Sequence, residues 1–93
     1  MTNEYWNGLK AISDHYGRET QRIKLIEELG ELTTALAKDE SFSDIADGIA
    51  DVEVLLTQYK LDYNAFAAVD KVKEMKVRRQ LDRIREEFRG AVD

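Results

Sequence analysis

The sequence predicts an all-α fold, a four-helix bundle completed by oligomerisation, and three observations point that way. The 93 residues include no Pro and no Cys. Charged residues make up 35% and hydrophobic residues 43%, a mixture that suits soluble helices far better than a sheet or a disordered chain. Apolar residues recur every three or four positions, the period of a helix with one packed face. A chain of this length fits one domain, 1–93, with a modest core, and association of subunits is a reasonable way to complete that core.

The first helix is expected over 3–15. Trp6, Leu9 and either Ile12 or Tyr16 share a face, with Tyr5 nearby, and the segment caps the bundle. A large aromatic on such a stripe is usually packing, which is one reading of Trp6; a stacking surface for a nucleobase is the other. His15 precedes Gly17 at a helix end, where a cationic group complements the dipole, so it reads as a surface residue rather than a ligand.

The second helix is expected over 19–37, with Gly30 its weak point. At about 100° per residue, Leu25, Leu29, Leu32 and Leu36 form an apolar stripe. Gln21, Lys24, Glu28 and Glu31 lie along its shoulder. Lys24 either pairs with Glu28 one turn on or holds a phosphate oxygen. A polar connection over 38–42 follows, with Ser43 as N-cap and Asp44 in the first turn of a third helix over 44–59. Ile45, Ile49, Val52 and Leu56 make its stripe, and Asp44, Asp47 and Asp51 flank it. Asp62 is expected to cap a fourth helix over 63–89.

That last helix is the basic part of an acidic protein. Lys71, Lys73, Lys76, Arg78, Arg79, Arg83 and Arg85 accompany an apolar series of Phe66, Val69, Val72, Met75, Leu81, Ile84 and Phe88. The bases either pair with acids along the helix or across a dimer, or a few of them, Lys73, Lys76 and Arg79 first, hold substrate phosphates. The helix is long enough to overhang a single-subunit bundle, and its apolar stripe predicts a homodimer or a dimer of dimers.

If the second and third helices pack antiparallel, their acidic flanks converge. Converging carboxylates repel unless they are solvated or a cation compensates them. Mg²⁺, which takes carboxylate oxygens and water and often shares its shell with substrate phosphates, is the natural cation. The plainer reading is two amphipathic helices with solvated acidic faces.

Glu27-Glu28-Leu29-Gly30-Glu31-Leu32 and Ile49-Ala50-Asp51-Val52 resemble, in order, the EExGEL and IADV segments of the MazG-like all-α nucleoside triphosphate pyrophosphohydrolases. Gln21 and Lys24 fit the Gln and Lys that precede the first motif. The likeness is close over 17–56 and loose in the basic C-terminal helix. It implies a Mg²⁺-dependent enzyme that splits a nucleoside triphosphate into monophosphate and pyrophosphate, in a nucleotide house-cleaning role. Glu28, Glu31 and Asp51 would be metal ligands, Lys24 and a base of the last helix would steady the phosphates, and Glu27 or Glu31 would position the attacking water. The family's ExxD pattern puts Glu where this chain has Gly48. Asp47 is the replacement ligand considered first, with Asp44 one turn earlier, although Asp is a methylene shorter than Glu.

Several function classes are disfavoured. A net charge of −5 argues against binding a nucleic acid polymer, whose backbone attracts concentrated Lys and Arg. No apolar run approaches the roughly 20 residues of a membrane span or the 7 to 15 of a signal-peptide core, so a cytoplasmic protein is expected. There is no phosphate-binding GxxxxGK[ST], no HExxH and no GxSxG. Triphosphate chemistry here would therefore rest on metal and water. Two other readings stand beside the hydrolase: a lapsed bundle that binds a nucleotide or a protein without turnover, favoured by Gly48, and a structural oligomerisation module. Tyr5, Trp6 and Phe42 are the candidates for base contact.

Overall fold

A computed structural model describes residues 1–92, and every regular element in them is helical: α1 (Asn3–Tyr16), α2 (Arg18–Ala37), α3 (Phe42–Asp62) and α4 (Phe66–Val92). No helix among the described residues is long and apolar enough to cross a membrane.

The connections follow from local chemistry. Thr2 caps α1 by accepting the Tyr5 N–H. Gly17 alone separates α1 from α2. Its φ of +90° is open to glycine and strained for other residues, and its N–H closes the end of α1 on the Ser13 carbonyl at 2.8 Å. The other two turns are alike. Asp39 and Asn64 take left-handed φ values of 51° and 52°, while the N–H of the following residue reaches back five positions, Glu40 to Ala35 and Ala65 to Lys60. Both are Schellman closures with an Asx residue in the place glycine usually takes.

These turns correct three expected boundaries. Ser41, not Ser43, caps α3, accepting the Asp44 N–H at 3.2 Å, so the helix starts at Phe42. Asp62 ends α3 instead of capping α4; its carboxylate accepts the Ser13 hydroxyl at 2.6 Å, tying α3 to α1. The fourth helix begins at Phe66 rather than at 63, because Asn64 and Ala65 are used in the turn.

The helices α2 and α3 pack most extensively and run antiparallel: Leu32 meets Gly48, and Gln21 meets Gln58. The packed faces differ from the expected stripes. On α2 the buried residues are Glu28 and Ala35, while Leu29 and Leu36 are exposed; on α3 they are Val52, Leu55 and Gln58, while Ile49 and Leu56 are exposed. Each helix is turned by about 60° from its leucine and isoleucine stripe towards its acids. Glu28, expected at a shoulder, sits in the packed seam. The buried apolar core is only Leu9, Ala35, Val52 and Leu55.

The helix α4 leaves this three-helix body almost at once. Phe66 packs edge-on against Trp6, with ring centroids 6.0 Å apart, and lies under the Lys60 ammonium at 5.1 Å. From Ala67 to Ala91 every residue is exposed. The radius of gyration is 17.6 Å, where a compact chain of this length has about 12 Å. The accessible surface is 7615 Å², against roughly 5,500 Å² for a folded monomer of this mass.

Candidate functional site

The antiparallel seam opens into a cleft of about 560 Å³, lined by Tyr16, Thr20, Gln21, Ile23, Lys24, Glu27, Glu28, Asp51, Val54 and Leu55. That volume is in the range of small-molecule sites. The antiparallel arrangement sets the cleft's polarity. Gln21 stands level with Gln58, and seven residues further along α2, about 10 Å, Glu28 stands near Asp51.

Glu28 is the centre of the charge distribution. It is only 8% exposed, and the Lys24 ammonium pairs with it at 3.3 Å while also reaching Glu27 at 3.6 Å. The bond to Glu28, then the charges of Glu28 and Glu27, hold the Lys24 pKa above its usual value against opposing desolvation. Glu28 acts in the other direction on its acidic neighbours. Hydrogen bonding with the Glu28 carboxyl, then repulsion from its charge, lifts the Glu31 pKa, with desolvation adding to the rise and Lys24 opposing it. Asp51 is lifted chiefly by desolvation, then by the charges of Asp47 and Glu28. Carboxylates from both helices therefore do converge, with one ammonium among them.

No group of three or more His, Cys, Asp or Glu side chains among the described residues is drawn together closely enough to ligate one ion. The chemistry of the donors nonetheless fits a divalent cation. Glu28, Glu31 and Asp51, with Asp47 next to them, are hard oxygen donors, and the proton affinity of two of them is raised, that of Glu31 chiefly by Glu28 and that of Asp51 chiefly by desolvation.

Of the residues singled out in the sequence, Gln21, Lys24, Glu28 and Asp51 line the cleft, and Glu31 and Asp47 are coupled to it electrostatically. Others lie elsewhere. Trp6 packs between Tyr5 and Phe66, away from the cleft, and Phe42 is exposed at the start of α3. Lys73, Lys76 and Arg79 are on the projecting part of α4 and form no ion pair among the described residues. Sequence reading did not single out Tyr16, Thr20 or Ile23 as cleft residues, nor Gln58, which is 1% exposed. No local signal marked Gln58, which falls well away from the Ile45, Ile49, Val52 and Leu56 stripe on the helix.

Gly48 packs against Leu32 of α2. A Cβ there would lie 3.2 Å from Leu32 Cδ1 and 3.9 Å from Leu32 Cα. The absent Glu side chain thus coincides with a contact that glycine makes possible. The Leu32 methyl ends a half-buried side chain that can turn aside. Gly48→Ala is therefore expected to stabilise the fold by up to about 1 kcal/mol through helix propensity, read as a higher urea midpoint.

Compared with known proteins, the chain matches no family model, no curated protein and no solved structure.

Proposed function

We propose that this chain is a Mg²⁺-dependent nucleoside triphosphate pyrophosphohydrolase that resembles the MazG-like enzymes and releases a nucleoside monophosphate and pyrophosphate. One observation carries the reading: Glu28 and Asp51 line a cleft of nucleotide size from two helices, and the Glu28 charge there helps to hold the pKa values of Glu31 and Asp51 above their ordinary range. A purely structural bundle has no use for that repulsion, whereas a metal–phosphate site does.

In this reading Glu28, Glu31 and Asp51 hold the metal, and Asp47 takes the place of the ligand lost at Gly48. Mg²⁺ bound there would neutralise the phosphates, help activate a water for attack and stabilise the leaving pyrophosphate. Lys24, which now shares its ammonium between Glu27 and Glu28, is free to turn to a phosphate oxygen when substrate enters. Glu27 or Glu31 orients the attacking water.

The bases of α4 enter through assembly. This helix carries eight of the 14 Lys and Arg residues and five of the 19 Asp and Glu residues, so it is +3 while the rest of the chain is −8. Its exposed Val77, Leu81, Ile84 and Phe88 fall within about 60° of one another. On the three-helix body, Ile26, Leu29, Leu36, Ile49 and Leu56 are exposed as well. The excess surface, roughly 2,000 Å² per chain, is of the size that homodimers bury. A homodimer or dimer of dimers, in which α4 of one copy lies on the acidic body of another, covers both surfaces. It also brings Lys73, Lys76 and Arg79 to the phosphates.

Incubation with a panel of common and modified nucleoside triphosphates in Mg²⁺, with the products resolved by ³¹P NMR, tests the reading. Monophosphate and pyrophosphate from at least one substrate are expected. Gly48 favours a second reading, a lapsed homologue that binds nucleotide without turnover; saturable binding with no product from any substrate would establish it in place of the first.

A further inference from the structure

The most deeply buried polar side chain, Gln58, lies behind the cleft rather than in it. Its Nε2 donates to the Leu9 carbonyl of α1 at 3.0 Å, and its Oε1 accepts from Gln21 Nε2 at 2.8 Å. The direction of this relay is forced. A backbone carbonyl can only accept, so Gln58 must turn its nitrogen towards α1 and its oxygen towards α2. Because that oxygen can only accept, Gln21 must meet it with nitrogen. Gln21 keeps its carbonyl oxygen, on the side of the carboxamide away from that bond, and one further Nε2 hydrogen.

That oxygen has no hydrogen-bond partner among the described residues, and no buried side-chain N or O atom there is left unsatisfied, so it is open to solvent. Gln21 lines the cleft beside Thr20, at the end opposite Glu28 and Asp51. Tyr16, Ile23 and Val54 add apolar and aromatic surface to the same lining. A ligand with its phosphates at the carboxylate end would therefore place a flat ring, about 10 Å away, against a neutral acceptor held in one orientation from behind.

We propose that the Leu9–Gln58–Gln21 relay sets the base selectivity of the cleft, with Gln58 a positioning residue that turns the Gln21 carbonyl oxygen onto the exocyclic amino group of a nucleobase. This rests on the nucleotide reading above. The relay favours amino-bearing bases, cytosine and adenine, over their oxo counterparts, uracil and hypoxanthine, whose exocyclic oxygen would face the Gln21 oxygen lone pair to lone pair. A freely rotating carboxamide would offer nitrogen or oxygen at will and select neither.

The test uses matched nucleotides in Mg²⁺: CTP against UTP, and ATP against ITP, comparing kcat/KM for turnover or Kd for binding. The native protein is expected to prefer the amino member of each pair by about tenfold or more, the worth of one well-placed hydrogen bond. Gln58→Met, which keeps the volume and removes the relay, should bring both ratios below about threefold, mainly by raising KM for CTP and ATP. Gln21→Met, at a half-exposed position with little bearing on folding, should do the same, and the double variant should add nothing because Gln58 acts only through Gln21. A merely structural Gln58 would lower thermal stability and leave the ratios unchanged, overturning the proposal. Native ratios near one, or ratios that survive Gln21→Met, would overturn it as well. Turnover or binding without discrimination defeats only the selectivity; the absence of both for all four nucleotides defeats the nucleotide reading together with it.

Discussion

Asp51→Asn is expected to abolish pyrophosphate release, by about 100-fold or more, while making the metal-free protein more stable at neutral pH. The two effects share a cause. Desolvation and the charges of Asp47 and Glu28 hold the Asp51 pKa above its ordinary value in the fold. A carboxyl with a raised folded pKa binds its proton more tightly folded than unfolded. Its favourable contribution is complete below the unfolded pKa and is lost as pH rises through the folded one. At pH 7 the ionised group therefore works against the fold, and Asn removes that burden. The gain in melting temperature should be present at pH 7 and shrink on acidification below about pH 4, where the native side chain is protonated too. Glu31, whose pKa is raised chiefly by Glu28, should behave in the same way. Thermal melts of the native protein and the variant at both pH values check this. A loss of stability at pH 7 on Asp51→Asn would show the carboxylate to be structural.

Leu81→Glu with Ile84→Glu is expected to dissociate the assembly to a 10.7 kDa monomer and to reduce turnover by about 100-fold. Both side chains lie on the exposed apolar stripe of α4, where every described residue from Ala67 to Ala91 is exposed. The α1–α3 body should therefore keep its helicity in the variant. In the proposed assembly Lys73, Lys76 and Arg79 would reach the phosphates only from a neighbouring copy, so its loss would lower activity. Sedimentation together with circular dichroism reads both results. A fully active native protein that sediments as a monomer would remove the assembly from the account.

The helical period in the sequence located four helices to within a few residues, because amphipathic periodicity is a local property. What it could not supply was the rotation of each helix. Leu29, Leu36, Ile49 and Leu56 form the better hydrophobic stripes, yet the intrachain seam uses Glu28, Ala35, Gly48 and Leu55. Stripe reading assumes that the strongest apolar face meets the same chain. When a second copy is the intended cover, the intrachain face can be the smaller and more polar one. The turn at Asn64 was visible as an Asx residue able to adopt left-handed φ, but Asp62 was the more conspicuous capping signal. Its actual partner, Ser13, lies 49 positions away, beyond the reach of local reasoning. That Lys24, Glu28 and Asp51 share one cleft was legible because the helical angle places them on the acidic flanks of two antiparallel helices. Gln58 was not, since nothing local connects it to Leu9 and Gln21.

The most direct measurement is pyrophosphate release followed against Mg²⁺ concentration, in the native protein and in Glu31→Gln. Release that rises from nothing and saturates with Mg²⁺ in the native protein, and is lost in Glu31→Gln while the variant stays folded, is the expected result. Release that needs no metal, or that persists in Glu31→Gln, would contradict a carboxylate-held cation at this cleft.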